Sequence, residues 1–208
     1  MAPITISVAD ALGRLKIMSN RIDDATKQPF IAVRTAGRIP GFVSALAFET
    51  EARAAFQSVV ALLANYATLK AALVESNATT TVTIGNQTMT VAAAIERKKS
   101  IVQDQALLAV FTVQLTQAQR SVDVQNTQVA QVADKQAIAF FGDKTEKTTA
   151  EYMQFVAHYI QQNGSQLIDP LDLKARIRVL ADSTQTFLAN VDLMLTTSNV
   201  RTEITIDL

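Results

Sequence analysis

Apolar residues return along this chain at alternating spacings of three and four, the pattern of helices that each bury one stripe. Val8, Ala11, Leu15, Met18 and Ile22 form the first stripe and predict a short helix. Phe48, Ala52, Ala55, Val59, Leu62, Tyr66, Leu69 and Leu73 continue the alternation without a break and predict a long second one. In a third segment, about residues 92–139, Ala94, Ile101, Leu108, Leu115, Val122 and Val129 recur every seven residues. Phe111, Ala118 and Val132 fill companion positions there, whereas Arg97, Asp104 and Gln125 interrupt the seam. Tyr152, Phe155, Val156, Tyr159 and Ile160 predict a helix within 149–162 that Asn163-Gly164 ends. Leu173, Ile177, Leu180, Thr184, Phe187, Val191 and Met194 predict a last helix over about 171–197. Asp169-Pro170 precedes it and reads as its N-cap and first-turn proline.

The stretch SNATTTVTIGNQTMTV, residues 76–91, departs from this pattern. Its β-branched residues flank Gly85-Asn86, which suits a tight hairpin with positive φ at both central residues, so strands are expected at 80–84 and 87–91. Residues 73–84 coincide with 195–206 at Leu, Ser, Asn, Thr, Thr and Ile, and 5–16 coincide with 88–99 at Thr, Val, Ala, Ala, Arg and Lys. Each half therefore reads strand, helix, connection, helix, strand. The expected fold is mainly α: an elongated helical bundle of two repeated helical hairpins, capped at one end by a small β-sheet. Residues 1–208 are expected to form a single domain from repeats at 4–84 and 88–207, with insertions at 28–43 and 140–169. Strands at 4–7 and 202–207 would join the 80–91 hairpin in one four-stranded sheet.

Nineteen basic residues balance nineteen acidic ones, which gives no global field for nucleic acid or an anionic membrane. Neither is expected as a partner. The absence of cysteine removes disulfides, thiolate metal sites and thiol nucleophiles. No signal peptide is apparent, and no segment approaches the roughly 18 apolar residues needed to span a bilayer.

Catalytic, metal and cofactor sites are all expected to be absent, and the chain is expected not to be an enzyme. His158 is the only histidine; nothing in the sequence supplies it with an orienting partner and a nucleophile. Asp23-Asp24, Glu49 with Glu51, and Asp169 with Asp172 lie at predicted helix ends, where acids cap or favour the dipole. Arg97-Lys98-Lys99 and Lys174, Arg176, Arg178 read as solvated faces. Two features invite a partner. Nine glutamines lie between Gln103 and Gln136 on the third helix. The long 28–43 connection sets Phe30, Ile31, Val33 and Phe42 among Pro, Gly and Arg, and these four are the candidate partner contacts.

The helix ending in Ser-Asn, the Thr-rich strand, the glycine turn and Met-Thr-Val-Ala-Ala-Ala-Ile-Glu-Arg-Lys together resemble the centre of septicolysin-like helical-hairpin proteins of bacteria and phages. The resemblance covers about residues 60–110, and the two insertions depart from it. It implies a cytolysin or membrane-active protein. The cysteine-free, neutral, Thr-, Gln- and Ala-rich character also resembles virion structural proteins of tailed bacteriophages. The expected role is a structural or assembly component of a neck, tail or shell, assembled in the host cytoplasm. Its partners would be further copies of itself and other particle proteins.

Overall fold

Ser7 ends a strand and starts a helix with no intervening loop: its hydroxyl accepts the Asp10 N–H at 3.1 Å, which satisfies a free donor of the first turn. In this computed structural model, which describes residues 3–142 and 146–207, the elements run β1 (Ile4–Ser7), α1 (Val8–Ala25), α2 (Ala45–Thr79), β2 (Thr81–Ile84), β3 (Gln87–Thr90), α3 (Val91–Phe141), α4 (Ala150–Asn163), α5 (Leu173–Arg201) and β4 (Glu203–Ile206). The fold is mainly α, 73% helical, with small antiparallel β-pairs. The 28–43 insertion is fully described, and the 140–169 insertion is described except at 143–145, which lie outside the described residues.

The strands form two separate two-stranded ladders, β1 with β4 and β2 with β3, rather than one four-stranded sheet. Both are antiparallel, with Ile4 opposite Ile206 in one and Gln87 opposite Ile84 in the other. Each strand is only four residues long. In β2 and β4 alternate side chains, Val82 and Ile84 or Ile204 and Ile206, are buried, and the threonines between them face outward. The expected turn is corrected at one residue. Gly85 has φ of 59°, but Asn86 does not share the positive φ, so the turn has its left-handed residue first, as type II′ turns do.

The two ladders carry the same bonds at matching places. Thr5 pairs its hydroxyl with that of Thr205 at 3.0 Å, and Thr88 with that of Thr83 at 3.0 Å. The Val8 N–H donates to the Thr202 carbonyl at 2.9 Å, and the Val91 N–H to the Thr80 carbonyl at 2.8 Å. Thr202 N–H closes on Ser198 and Thr80 N–H on Ser76, at 2.9 and 2.8 Å. Ser7 caps α1, and Thr90 takes the equivalent bond from Ala93 N–H at 3.1 Å. Burial repeats likewise: Val8 with Val91, Ala11 with Ala94 and Leu69 with Val191 are all buried.

The chain divides into two compact units, one of residues 1–99 with 186–208 and one of residues 100–185. The division falls within α3 and α5 and follows neither repeat boundary. In the first unit, α1 packs against α2. Ile6, Val8, Ala11 and Leu15 meet Leu69, Leu73, Ile204 and Ile206 in a core rimmed by Met18, Tyr66 and Ala72. Burial of each isoleucine, leucine or valine among these contributes about 1.5–3 kcal/mol. Elsewhere in this unit the Arg97 guanidinium lies 5.2 Å from the Phe187 ring centroid, and the Lys98 ammonium bonds Asp192 at 2.5 Å.

In the second unit, Leu108, Leu115, Val122 and Val129 of α3 are half-buried, as their heptad spacing predicts. Beyond Val129 the buried positions become Ala133 and Ala137, and Val132 is exposed. A straight helix drifts against a strict seven-residue repeat, and the packed face moves with it. The start of α5 also differs from expectation. Asp169 accepts the N–H groups of Leu171 and Leu173 at 3.2 and 2.7 Å, so Asp169-Pro170 builds a turn ahead of the helix. Asp172, with φ of 50°, accepts the Ala175 N–H at 3.4 Å and does the capping.

Candidate functional site

The connection between α1 and α2 is built from consecutive tight turns. Its first residues continue the helix end: Thr26 N–H donates to the Ile22 carbonyl, and Lys27 bonds Asp24 at 2.8 Å, a contact that raises the lysine's pKa. Thr35 and Arg38 exchange backbone bonds of 2.9 and 3.0 Å around Ala36 and Gly37, both at positive φ. That is the backbone of a type I′ turn. Pro40-Gly41 makes the next one, with Gly41 at φ 83° and the Phe42 N–H donating to the Ile39 carbonyl at 3.2 Å. Ser44 then caps α2 through the Ala47 N–H at 3.1 Å.

The four sequence-predicted contacts separate into two pairs. Phe30 sets its ring edge-on to Phe56 of α2, centroids 6.5 Å apart, and Phe42 does the same with Phe48 at 5.0 Å. These two anchor the connection to the chain's own helix. Ile31 and Val33 stand 87% and 78% exposed between the anchors. Val43 and Leu46, at 101% and 72%, extend the exposed apolar set onto the first turn of α2. The sequence reading missed both. Leu46 lies off the stripe that starts at Phe48, and that offset was the available signal.

Exposure continues along α2 at Phe56, Val60, Leu63 and Val74. From 54 to 69 this helix carries no charged residue. An 18-residue window within it has mean hydropathy 1.3 and is only 17% buried, so α2 is long and apolar enough to cross a membrane by length and composition. This corrects the expectation that no segment approaches that requirement. Gln57, Ser58, Asn65 and Thr68 interrupt any apolar run, yet alanine, leucine and valine hold the average high. A second apolar feature, in the 100–185 unit, is an open groove of about 480 Å³ where Leu107 and Phe111 face Ala175, Val179 and Leu180, with Arg176 and Ser183 at its edge.

Several of the polar candidates make local contacts. His158 is exposed on α4. Among the described residues no three His, Asp or Glu side chains gather to hold a metal ion. Lys99 bonds Glu96 at 2.6 Å, and the Arg176 guanidinium donates to the Leu171 carbonyl at 2.7 Å. All nine glutamines of α3 between Gln103 and Gln136 are exposed. One polar group is indicated by no sequence pattern: Asp134 accepts the Tyr152 hydroxyl at 2.5 Å and the Lys147 ammonium at 2.7 Å. Those bonds, Lys147 first, hold its carboxyl below the ordinary value, while the bond to Asp134 and burial push the Tyr152 phenol up. The arrangement fastens α4 to α3, beside the packed rings of Phe140, Phe141 and Phe155. Comparison with protein-family models, curated proteins and solved structures gives no match to this chain.

Proposed function

We propose that this chain is a non-enzymatic structural protein that works by association, as a repeated component of a tailed-bacteriophage particle. The single observation behind this reading is the 26–44 connection. Ile31, Val33, Val43 and Leu46 are exposed on a backbone that two turns and two phenylalanine anchors hold in one conformation. Ordering such a loop costs conformational entropy, and a preorganised apolar surface returns that cost when a neighbouring subunit covers it. The occupant is another protein subunit of the same particle, because the surface has aliphatic side chains and no convergent polar groups for a small ligand.

Native mass measurement with a pull-down from the source tests the reading. Oligomers and recovered particle proteins are the expected outcome, and Ile31→Asp with Val33→Asp should abolish both while leaving stability within about 0.5 kcal/mol, as for exposed positions generally. A strict monomer at high concentration that recovers no particle protein overturns it. One observation favours a second, membrane-active reading in line with the septicolysin resemblance: the uncharged, largely exposed stretch of α2. Leakage of dye-loaded liposomes at micromolar protein would support that reading, and intact liposomes would eliminate it.

A further inference from the structure

Every bond that closes the β2–β3 hairpin has a counterpart in the β1–β4 ladder. A step of 83 carries Thr5, Ser7 and Val8 onto Thr88, Thr90 and Val91, and a step of 122 carries Ser76, Thr80 and Thr83 onto Ser198, Thr202 and Thr205. Under the same steps the pair Ile84–Gln87 becomes the pair Ile206–Ile4. The first strand of each repeat thus pairs with the last strand of the other repeat. One difference remains. Gly85-Asn86 joins β2 directly to β3, whereas β1 and β4 connect only through the whole intervening chain.

We propose that the β1–β4 ladder is a joint between copies of this chain: β4 of one copy seats on β1 and α2 of the next. What β1 requires is a strand that offers Ile204 and Ile206 to Ile6, Val8, Leu69 and Leu73, and β4 of any copy offers it. Exchange conserves the four-residue register, the Thr5–Thr205 bond and the Val8–Thr202 bond, so closed and exchanged forms differ chiefly in effective concentration. Thr202 is the single residue between α5 and β4, and it is the hinge. The contact is head to tail, because β4 of one copy meets β1 of another, and one β1 and one β4 stay unsatisfied at the ends of a row unless it closes on itself. Such a row suits an open or ring-shaped array. This deepens the assembly reading and rests on it for its setting, but uses none of the loop residues.

Cysteine trapping tests the joint in a chain that has no native cysteine. Thr5→Cys and Thr205→Cys are made as separate full-length chains of distinguishable mass, because the two hydroxyls stand 3.0 Å apart across the ladder. After concentrating the mixture and oxidising it, disulfide-linked dimers should be predominantly mixed, well above the roughly one-half that random collision gives. Thr83→Cys mixed with Thr88→Cys is the control and should stay at the random level, since its ladder is closed by a two-residue turn. A random mixture from both pairs overturns the proposal. So does failure of the Thr5→Cys, Thr205→Cys double variant to close within one chain when dilute, for then the ladder itself is not formed. The trapping readout is independent of Ile31 and Val33: mixed dimers that persist in the Ile31→Asp, Val33→Asp background keep the joint even if the loop surface fails.

Discussion

Gly85 meets two constraints at once. Its φ of 59° is strained for any residue with a side chain, and an added Cβ would lie 2.8 Å from the Thr186 methyl. Gly85→Val is expected to lower stability by about 2–3 kcal/mol, from left-handed backbone strain and the displaced threonine together, as measured by urea denaturation. Asp134 gives a pH-dependent counterpart. Its native carboxyl titrates below the ordinary value of 3.8, so the contact contributes stability above that pH and loses it as pH falls through the lower native value. Tyr152 is raised above 10.0, so its share is full below that pH and is lost as pH rises through the native value. The difference in denaturation midpoint between the wild type and Asp134→Asn should therefore be level from about pH 5 to 9 and narrow below about pH 4, where the carboxylate of the unfolded chain takes up a proton while the native one is still ionised.

At the scale of elements, Asn126 controls the approach to α5. Its amide donates to the Ser165 carbonyl at 3.1 Å and accepts the Ser165 N–H at 2.7 Å, while the Ser165 hydroxyl bonds Gln125 at 2.5 Å. Asn126→Ala is expected to cost about 1–3 kcal/mol by leaving half-buried backbone groups unpaired. Limited proteolysis should then cut within 164–172 at a higher rate. Periodicity could not reveal this contact, because Asn126 acts on a segment 39 residues away and looks like one more polar position beside a seam. Local rules, by contrast, made the elements themselves legible: the stripe from Val8 to Ile22 lies within α1, and the β-branched residues around Gly85 form both hairpin strands. Reading stopped where a choice depended on neighbours, as when Asp172 and not Asp169 took the cap of α5. The candidate site was half legible. Composition picked out the loop, but which aromatic rings turn inward depends on Phe48 and Phe56 of the following helix.

For the molecule as a whole, the balance of apolar side chains is the governing feature. Among the described residues, 20 hydrophobic side chains are buried and 27 large ones are exposed. Single exposed hydrophobics are ordinary on a soluble protein, and the runs along one loop and one helix are the surfaces that the proposed assembly would cover. Ile31 and Val33 are the direct check on that point, because their replacement by aspartate removes apolar surface without touching the core. The matched ladders have a further consequence. Where Ile206 faces Ile4, the backbone has the registration that Gly85-Asn86 bridges between Ile84 and Gln87. A gene rearranged to start at Gln87, run to Ile206, pass through a new Gly-Asn and finish from Ile4 to Ile84 should encode the same fold. A circular dichroism spectrum and thermal midpoint close to those of the parent would mean that the order in which the two halves are translated is interchangeable, whereas an unfolded product would assign that order a structural role.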